Sequence, residues 1–344
     1  MIRALSIFIF ALLLGEAPCP AAITGAGKPI DWFKTDEGLR TADNTLTWQF
    51  ESGAFPKNID TGKEPCPADR KEQYRKSHWE SIDNGATHTQ VRILAAAWRA
   101  TGEQRFADGV NRGLAYLLKA QYPTGGWPQC FPPRGGYHDH ITFNDDAMVN
   151  VMRLLADVRS DPAFDCVSKD DRRLAQDAFI RGVDCILRCQ IIVAGVRTGW
   201  CAQHDAVTLE PRPARSYEKA SISGGESARI VDLLMSIDKP NPAVRQAVIA
   251  ACAWYEQSKL DGIRLENAGD DVVVIPDAKA PPLWARFYNI ETNKPIFCGR
   301  DGRIQTQLKD IEKERRTGYA WYGNWGAALP RKLEAWKKKW PAEK

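Results

Sequence analysis

Along this chain, a stretch with apolar residues at helical spacing is repeatedly followed, after a short break, by a second such stretch. Val91, Leu94, Ala95 and Trp98 form the first stripe, and Phe106, Val110, Leu114, Leu117 and Leu118 form its partner beyond Thr101-Gly102. The cadence returns in "FNDDAMVNVMRLLADV" with "DRRLAQDAFIRGVDCILRCQ", and more loosely in "GGESARIVDLLMSI" with "PAVRQAVIAACAWYEQ". Gln121…Gly126-Trp127 and Gln190…Gly199-Trp200 mark matching repeat ends. A lone helix pair cannot bury its apolar face, so serial pairs must stack. The pattern predicts an all-α chain, an (α/α)3 toroid of three helix pairs. An open solenoid is the alternative, but the pairs are few and the loops long.

Around this core the sequence divides into three parts. Residues 1–22 open with Met1-Ile2-Arg3, continue apolar from Ala4 to Leu14 and end among small residues and prolines, the layout of a secretory signal peptide. The apolar run is too short to span a bilayer. Residues 23–78 read as an irregular lead-in packed on the main body, and residues 79–344 as the toroid, with short β segments in its C-terminal loops. A secreted or periplasmic monomer, without a membrane segment in its mature form, is the expectation. Of nine cysteines, eight follow Cys19, an even number that permits disulfides in an oxidising compartment. The formal charge of +4 does not suggest nucleic acid and allows an acidic substrate without demanding one.

The stretch "HITFNDDAMVNV" places Asp145 and Asp146 where a helix is expected to begin, near Thr142 or Asn144. Thr142-x-x-Asp145 has the form of a capping box, and acids suit a helix N-terminus in any case. In a toroid, however, inner helices run the same way and their starts gather at one mouth. Asp83-Asn84, Asn144-Asp145-Asp146 and Ser223-Gly224-Gly225-Glu226 would then converge. Such a set of hard oxygens suits calcium rather than zinc. Asp83 and Asp145 are the candidate metal ligands, with Asp146 either a third or a cap.

Other polar groups fall in loops. Residues 208–227 carry Arg212, Arg215, Tyr217, Glu218 and Lys219, either a solvated charged loop or a row aimed at the mouth. Residues 283–302 read as a strand pair or irregular hairpin carrying Arg286 and Arg300, which either face anions or pair with Glu291 or Asp301. Trp127 and Trp200 are core filler or sugar platforms. No serine-hydrolase, P-loop or dinucleotide signature occurs.

Taken in order, "DNGATHTQ", "GGWPQ", "HITFNDDAMVNV", "PRPARSYEKASISGGES", "RFYNIETNKPIFCGRDG" and "GYAWYGNW" resemble polysaccharide lyase family 10, from Asp83 to Pro330. The resemblance implies an (α/α)3 toroid that cleaves polygalacturonate by calcium-assisted β-elimination. It implies Asp83 as an essential acid near the metal, Asp145 as a calcium ligand, Arg215 as catalytic base, and Arg286 and Arg300 as ligands of substrate carboxylates. Asn84, Tyr217 and Trp127 join the substrate-binding candidates. An arginine base is chemically awkward, because the guanidinium is normally protonated. Arg212, Lys219 or the metal would have to depress its pKa. Two features depart from the family pattern: the many cysteines and the long stretch before Trp200. The rivals are a glycoside hydrolase using Asp83 and Asp146 as its two carboxylates, a glycan-binding module without turnover, and, from the repeat ends alone, a triterpene cyclase.

Overall fold

A computed structural model describes residues 23–341; the expected signal segment lies outside the described residues. Among the described residues ten α-helices follow one another: α1 (Asp36–Thr47), α2 (Lys71–His78), α3 (His88–Thr101), α4 (Gln104–Ala120), α5 (Ala147–Ser160), α6 (Lys169–Cys189), α7 (Glu226–Met235), α8 (Pro242–Ser258), α9 (Lys313–Thr317) and α10 (Leu329–Lys339). The three expected pairs are α3/α4, α5/α6 and α7/α8. Helices α3, α5 and α7 pack in series as the inner layer, and α4, α6 and α8 as the outer one. Phe106, Val110, Leu114 and Leu117 form the buried stripe of α4 as their spacing requires. Caps fix the outer starts: Ser168 accepts from the Asp171 N–H, and Asn241 from the Val244 N–H with Pro242 at the first helical position.

The lead-in proves more regular than expected. Its helix α1 packs on α3 and α4, and its end at Gln49 repeats the later ones. The Gln49 side-chain amide donates to the Gly53 and Gly109 carbonyls at 3.0 and 2.8 Å. Gln121 donates to Gly125 and Ala178, both at 2.8 Å. Gln190 donates to Thr198 and Ala247 at 2.9 and 3.0 Å. Each glutamine thus staples its own turn to the next outer helix, satisfying carbonyls that would otherwise be buried unpaired. The first two also receive an arginine, Arg112 on Gln49 and Arg181 on Gln121. Gln190 Oε1 has no partner.

Short antiparallel strands join the helices. Residues 283–302 are extended as expected, but most of their pairing lies outside the segment: Trp284–Ala285 with Tyr322–Gly323, Phe287–Tyr288 with Ile222–Ser223, and Phe297–Cys298 with Ile304–Gln305. A hairpin of Ile263–Ala268 and Asp271–Pro276 is the longest β element. The eight described cysteines are free, and the Cys185 and Cys189 sulfurs stand 4.0 Å apart. No described helix is long and apolar enough to cross a membrane.

Candidate functional site

The acid pair is not at a helix start of the expected kind. Helix α5 begins at Ala147, and Thr142 belongs to a strand whose partner is Gln203, so the capping box does not form. Asn144–Asp146 make a separate tight turn in which Asp145 (φ 52°, ψ 31°) and Asp146 (φ 59°, ψ 17°) are both left-handed. Aspartate and asparagine tolerate this region best among non-glycine residues. The turn before α3 has the same device, with Asn84 at φ 50°, ψ 40° between Asp83 and Gly85. Two consecutive strained residues next to a helix mouth are a signature of a functional site.

The two turns pack on one another, and a third segment completes the floor. Ser223 pairs with Phe287, and the Gly224 N–H donates to the Arg286 carbonyl at 2.9 Å. A side chain at Gly224 would meet the Ala285 carbonyl oxygen at 2.2 Å, so only glycine permits the approach. The result places Arg286 over the start of α7. Its Nη2 donates to Glu226 Oε1 at 2.7 Å, lies 3.4 Å from Asn144 Oδ1 and stands 3.8 Å from Asp145 Oδ1. Ser223 donates to the other Glu226 oxygen. Asp83 is 3% exposed, and its Oδ2 is met by the Lys57 ammonium at 3.1 Å. Two buried atoms at this mouth lack partners: Asp83 Oδ1, an acceptor, and Arg286 Nε, a donor.

Burial pushes the Asp145 carboxyl up to about 6; Arg286 opposes this, while the negative charges of Asp83 and Glu226 add to it. Its side chain keeps 42% of its surface exposed, so the crowding comes from the floor beneath. Asp146 is likewise pushed to about 6, by burial against the pull of Arg229. It forms an ion pair with Arg229 Nε at 3.4 Å and stands at the N-cap position of α5 without a side-chain capping bond.

A second group sits alongside. Arg215 donates from Nε and Nη2 to both Glu218 oxygens at 2.7 and 2.5 Å. Tyr319 donates to Glu218 Oε1 at 2.8 Å, and its ring lies 4.9 Å beneath the Arg286 guanidinium. Burial works against the Arg215 charge, but the bonds and charge of Glu218 outweigh it and hold the pKa above the ordinary arginine value. Arg212, one of the cations that could lower it, is itself paired with Asp205 at 2.8 Å. Tyr217 is buried between the Arg215 and Arg315 guanidiniums, 5.0 and 4.8 Å from its ring centre. It supports arginines and offers no open face. Arg300 is exposed and clamps Glu314 through two bonds of 2.9 Å, a partner not among those expected. Asn84 donates to Asn58 at 2.8 Å. Trp127 must be corrected: it is fully buried and donates to the Leu117 carbonyl at 2.8 Å, so it is core and cannot stack on a sugar.

The structure therefore gathers Asp83, Asp145 and Arg286, sets Arg215 close by, and leaves Arg300 on the rim. Lys57, Glu226 and Tyr319 are the additions. Glu226 was visible as the acid of the third turn, whereas Lys57 comes from the lead-in, where no pattern signalled it. Hard carboxylate oxygens and the bare Asp83 Oδ1 fit calcium in kind. Among the described residues, however, no three acid, histidine or cysteine side chains form a ready cage. Remaining ligands would have to come from water or substrate. A cleft of about 780 Å³ borders Tyr319 on the hairpin side, but its acids are committed, Asp271 to Arg316 and Asp270 to Lys313.

The pectic acid lyase family matches residues 49–329. Two solved structures of a family 10 polysaccharide lyase from Cellvibrio cellulosa are similar over most of both chains. A mutant in complex with trigalacturonic acid has 32% identity and a TM-score of 0.78, covering 90% of this chain and 96% of its own. The other has 33% identity and a TM-score of 0.78, covering 88% and 94%. The comparison with curated proteins gives no significant match.

Proposed function

Because this chain belongs to the pectic acid lyase family and is a pectate lyase, we propose that it is exported and cleaves polygalacturonate by calcium-assisted β-elimination. The observation that carries the reading is the pair of partnerless buried atoms, Asp83 Oδ1 suited to a cation and Arg286 Nε suited to an anion. A cation at Asp83 Oδ1 and a galacturonate carboxylate accepting from Arg286 Nε would satisfy one each.

Elimination across C4–C5 removes a proton made acidic by the adjoining carboxylate, on which negative charge then grows. Asp83 and Asp145 would hold the calcium ion, which when bound neutralises that charge as a Lewis acid. Arg286 donates to the same carboxylate from a rigid setting, locked by Glu226 and supported by Tyr319. Arg300 takes a neighbouring carboxylate at the rim after exchanging it for Glu314. Arg215, having first given its own proton to solvent, accepts the C5 proton; the electron pair left behind forms the C4–C5 double bond as the C4–O bond breaks, and the departing oxygen takes up a proton from solvent. The Glu218 clamp is thus a resting state that must loosen. A positioned base supplies about 10²–10⁴-fold, so of a rate enhancement of roughly 10⁶-fold or more at least about 10²-fold is left for the charge clamp.

Ultraviolet absorbance of the 4,5-unsaturated uronide tests this. Polygalacturonate with calcium should give a rise that a chelator abolishes. New reducing ends without absorbance would mean hydrolysis, and binding without either would mean a glycan-binding module.

A further inference from the structure

Trp79 closes α2 with φ 63° and ψ 159°, a backbone region that hardly any residue but glycine occupies. The fold thus holds a large aromatic side chain at a fixed, half-buried place beside the site, where glycine would sit without strain. Two cations lie over its ring, Lys57 Nζ at 4.4 Å and the Arg134 guanidinium at 5.0 Å from the centre. His138 packs edge-on at 4.7 Å. Lys57 is also the partner of Asp83, so one ammonium joins the indole to the candidate centre.

Arg134 differs from the other arginines of this mouth. Arg286, Arg215 and Arg300 each grip a carboxylate of the chain. The nearest acid in sequence to Arg134, Asp139, is occupied with backbone: it accepts from the Arg134 and Gly135 N–H groups, both at 2.8 Å. That acid shapes the loop and leaves the guanidinium stacked on Trp79, exposed, with no ion pair among the described residues. A preoriented guanidinium with free donors recognises a carboxylate in bidentate fashion, and an indole edge beside it offers apolar area to a sugar ring.

We propose that Trp79 and Arg134, joined to Asp83 through Lys57, form an outer subsite that binds a further uronate residue of the polymer, beyond those at the reacting bond. This rests on the polygalacturonate reading above. It makes longer chains bind more tightly than short ones, with the gain lodged in two named side chains.

The test is calorimetric titration with trigalacturonate and hexagalacturonate, in calcium, using the Arg215→Ala background so that the ligands survive. The background protein should bind the hexamer more tightly than the trimer. Adding Arg134→Gln, and separately Trp79→Gly, should reduce that ratio by about threefold to tenfold. A ratio that survives Arg134→Gln overturns the subsite; this substitution, on an exposed side chain, decides the matter even if Trp79→Gly disturbs folding. If the unsubstituted protein yields no unsaturated product and the background binds neither oligomer, the pectate reading falls and the subsite with it. Turnover with an unmoved ratio rejects the subsite alone.

Discussion

Arg215 and Glu218 face each other through two parallel hydrogen bonds of 2.7 and 2.5 Å, so the proposed base is gripped by its own counter-charge. If Arg215 must be neutral to act, Glu218→Gln lowers its pKa, and the acidic limb of kcat/KM moves to lower pH. The amide oxygen can still accept from Tyr319. A limb that stays in place would mean that Arg215 acts as a cation, stabilising charge rather than taking the proton.

Replacing the arginine is the complementary experiment. Arg215→Ala should lower kcat by about 10²–10⁴-fold while the calcium titration stays as in the parent; the thermal midpoint falls somewhat, because Glu218 is left buried without its cation. Activity retained within a few-fold removes Arg215 from the proton-transfer step.

Asp83→Asn and Asp145→Asn separate the candidate metal ligands from their surroundings. Each should weaken calcium binding by about tenfold or more, since a charged oxygen ligand is lost, and calorimetry without substrate reads this directly. Asp146→Asn should leave calcium affinity nearly unchanged, because its carboxylate serves Arg229.

Two groups, buried His204 and partly exposed Asp145, make stability depend on pH with opposite signs. Burial pushes His204 down to about 4 in the fold. As pH falls from about 6.5, the unfolded chain takes up that proton first, and stability is lost progressively down to about pH 4. The parent's advantage over His204→Gln should therefore shrink on acidification, by on the order of 3 kcal/mol. Asp145, pushed up to about 6, works the other way without calcium: the folded state protonates first between about pH 6 and 4. The parent should gain on Asp145→Asn over that interval, by no more than about 1 kcal/mol because the side chain is partly exposed. Denaturant unfolding at several pH values gives both differences.

The glutamine staples supply a stability test. Arg112 and Arg181 lie three residues beyond Gly109 and Ala178, the carbonyls that their glutamines reach; the matching position on α8 is Ala250. Ala250→Arg should supply the donor that Gln190 Oε1 lacks and stabilise the protein by about 1 kcal/mol. An unchanged thermal midpoint would show that the third repeat packs differently at this end.

Helical periodicity carried the three pairs, because stripes such as Phe106, Val110, Leu114 and Leu117 are local and strong. It also led from repeat order to the convergence of Asp83 and Asp145. What it could not carry was backbone handedness: Thr142-x-x-Asp145 satisfies a capping pattern, and only pairing of Thr142 with Gln203 pulls the acids out of the helix. Partner choice was equally hidden. Arg286 meets Glu226 sixty residues away, and Lys57 meets Asp83 across the lead-in; such pairings depend on tertiary approach that no local spacing encodes. Trp127 shows the reverse case, a residue whose motif suggested a sugar contact but whose indole fills the core.

From the rim inward runs an unbroken series: Arg300 on Glu314, Glu314 on Arg315, Arg315 and Arg215 on either side of Tyr217, Arg215 on Glu218, Glu218 on Tyr319, and Tyr319 beneath Arg286. A polyanion reaching Arg300 or Arg215 meets a guanidinium already paired with an acid of the chain, and at Arg286 one whose Nη2 is held by Glu226 while its Nε is open. Docking there is a swap of partners, with a net gain much smaller than a bare cation would give. On the reading proposed above, the displaced acids would close again on their arginines after cleavage and favour release of the charged fragments.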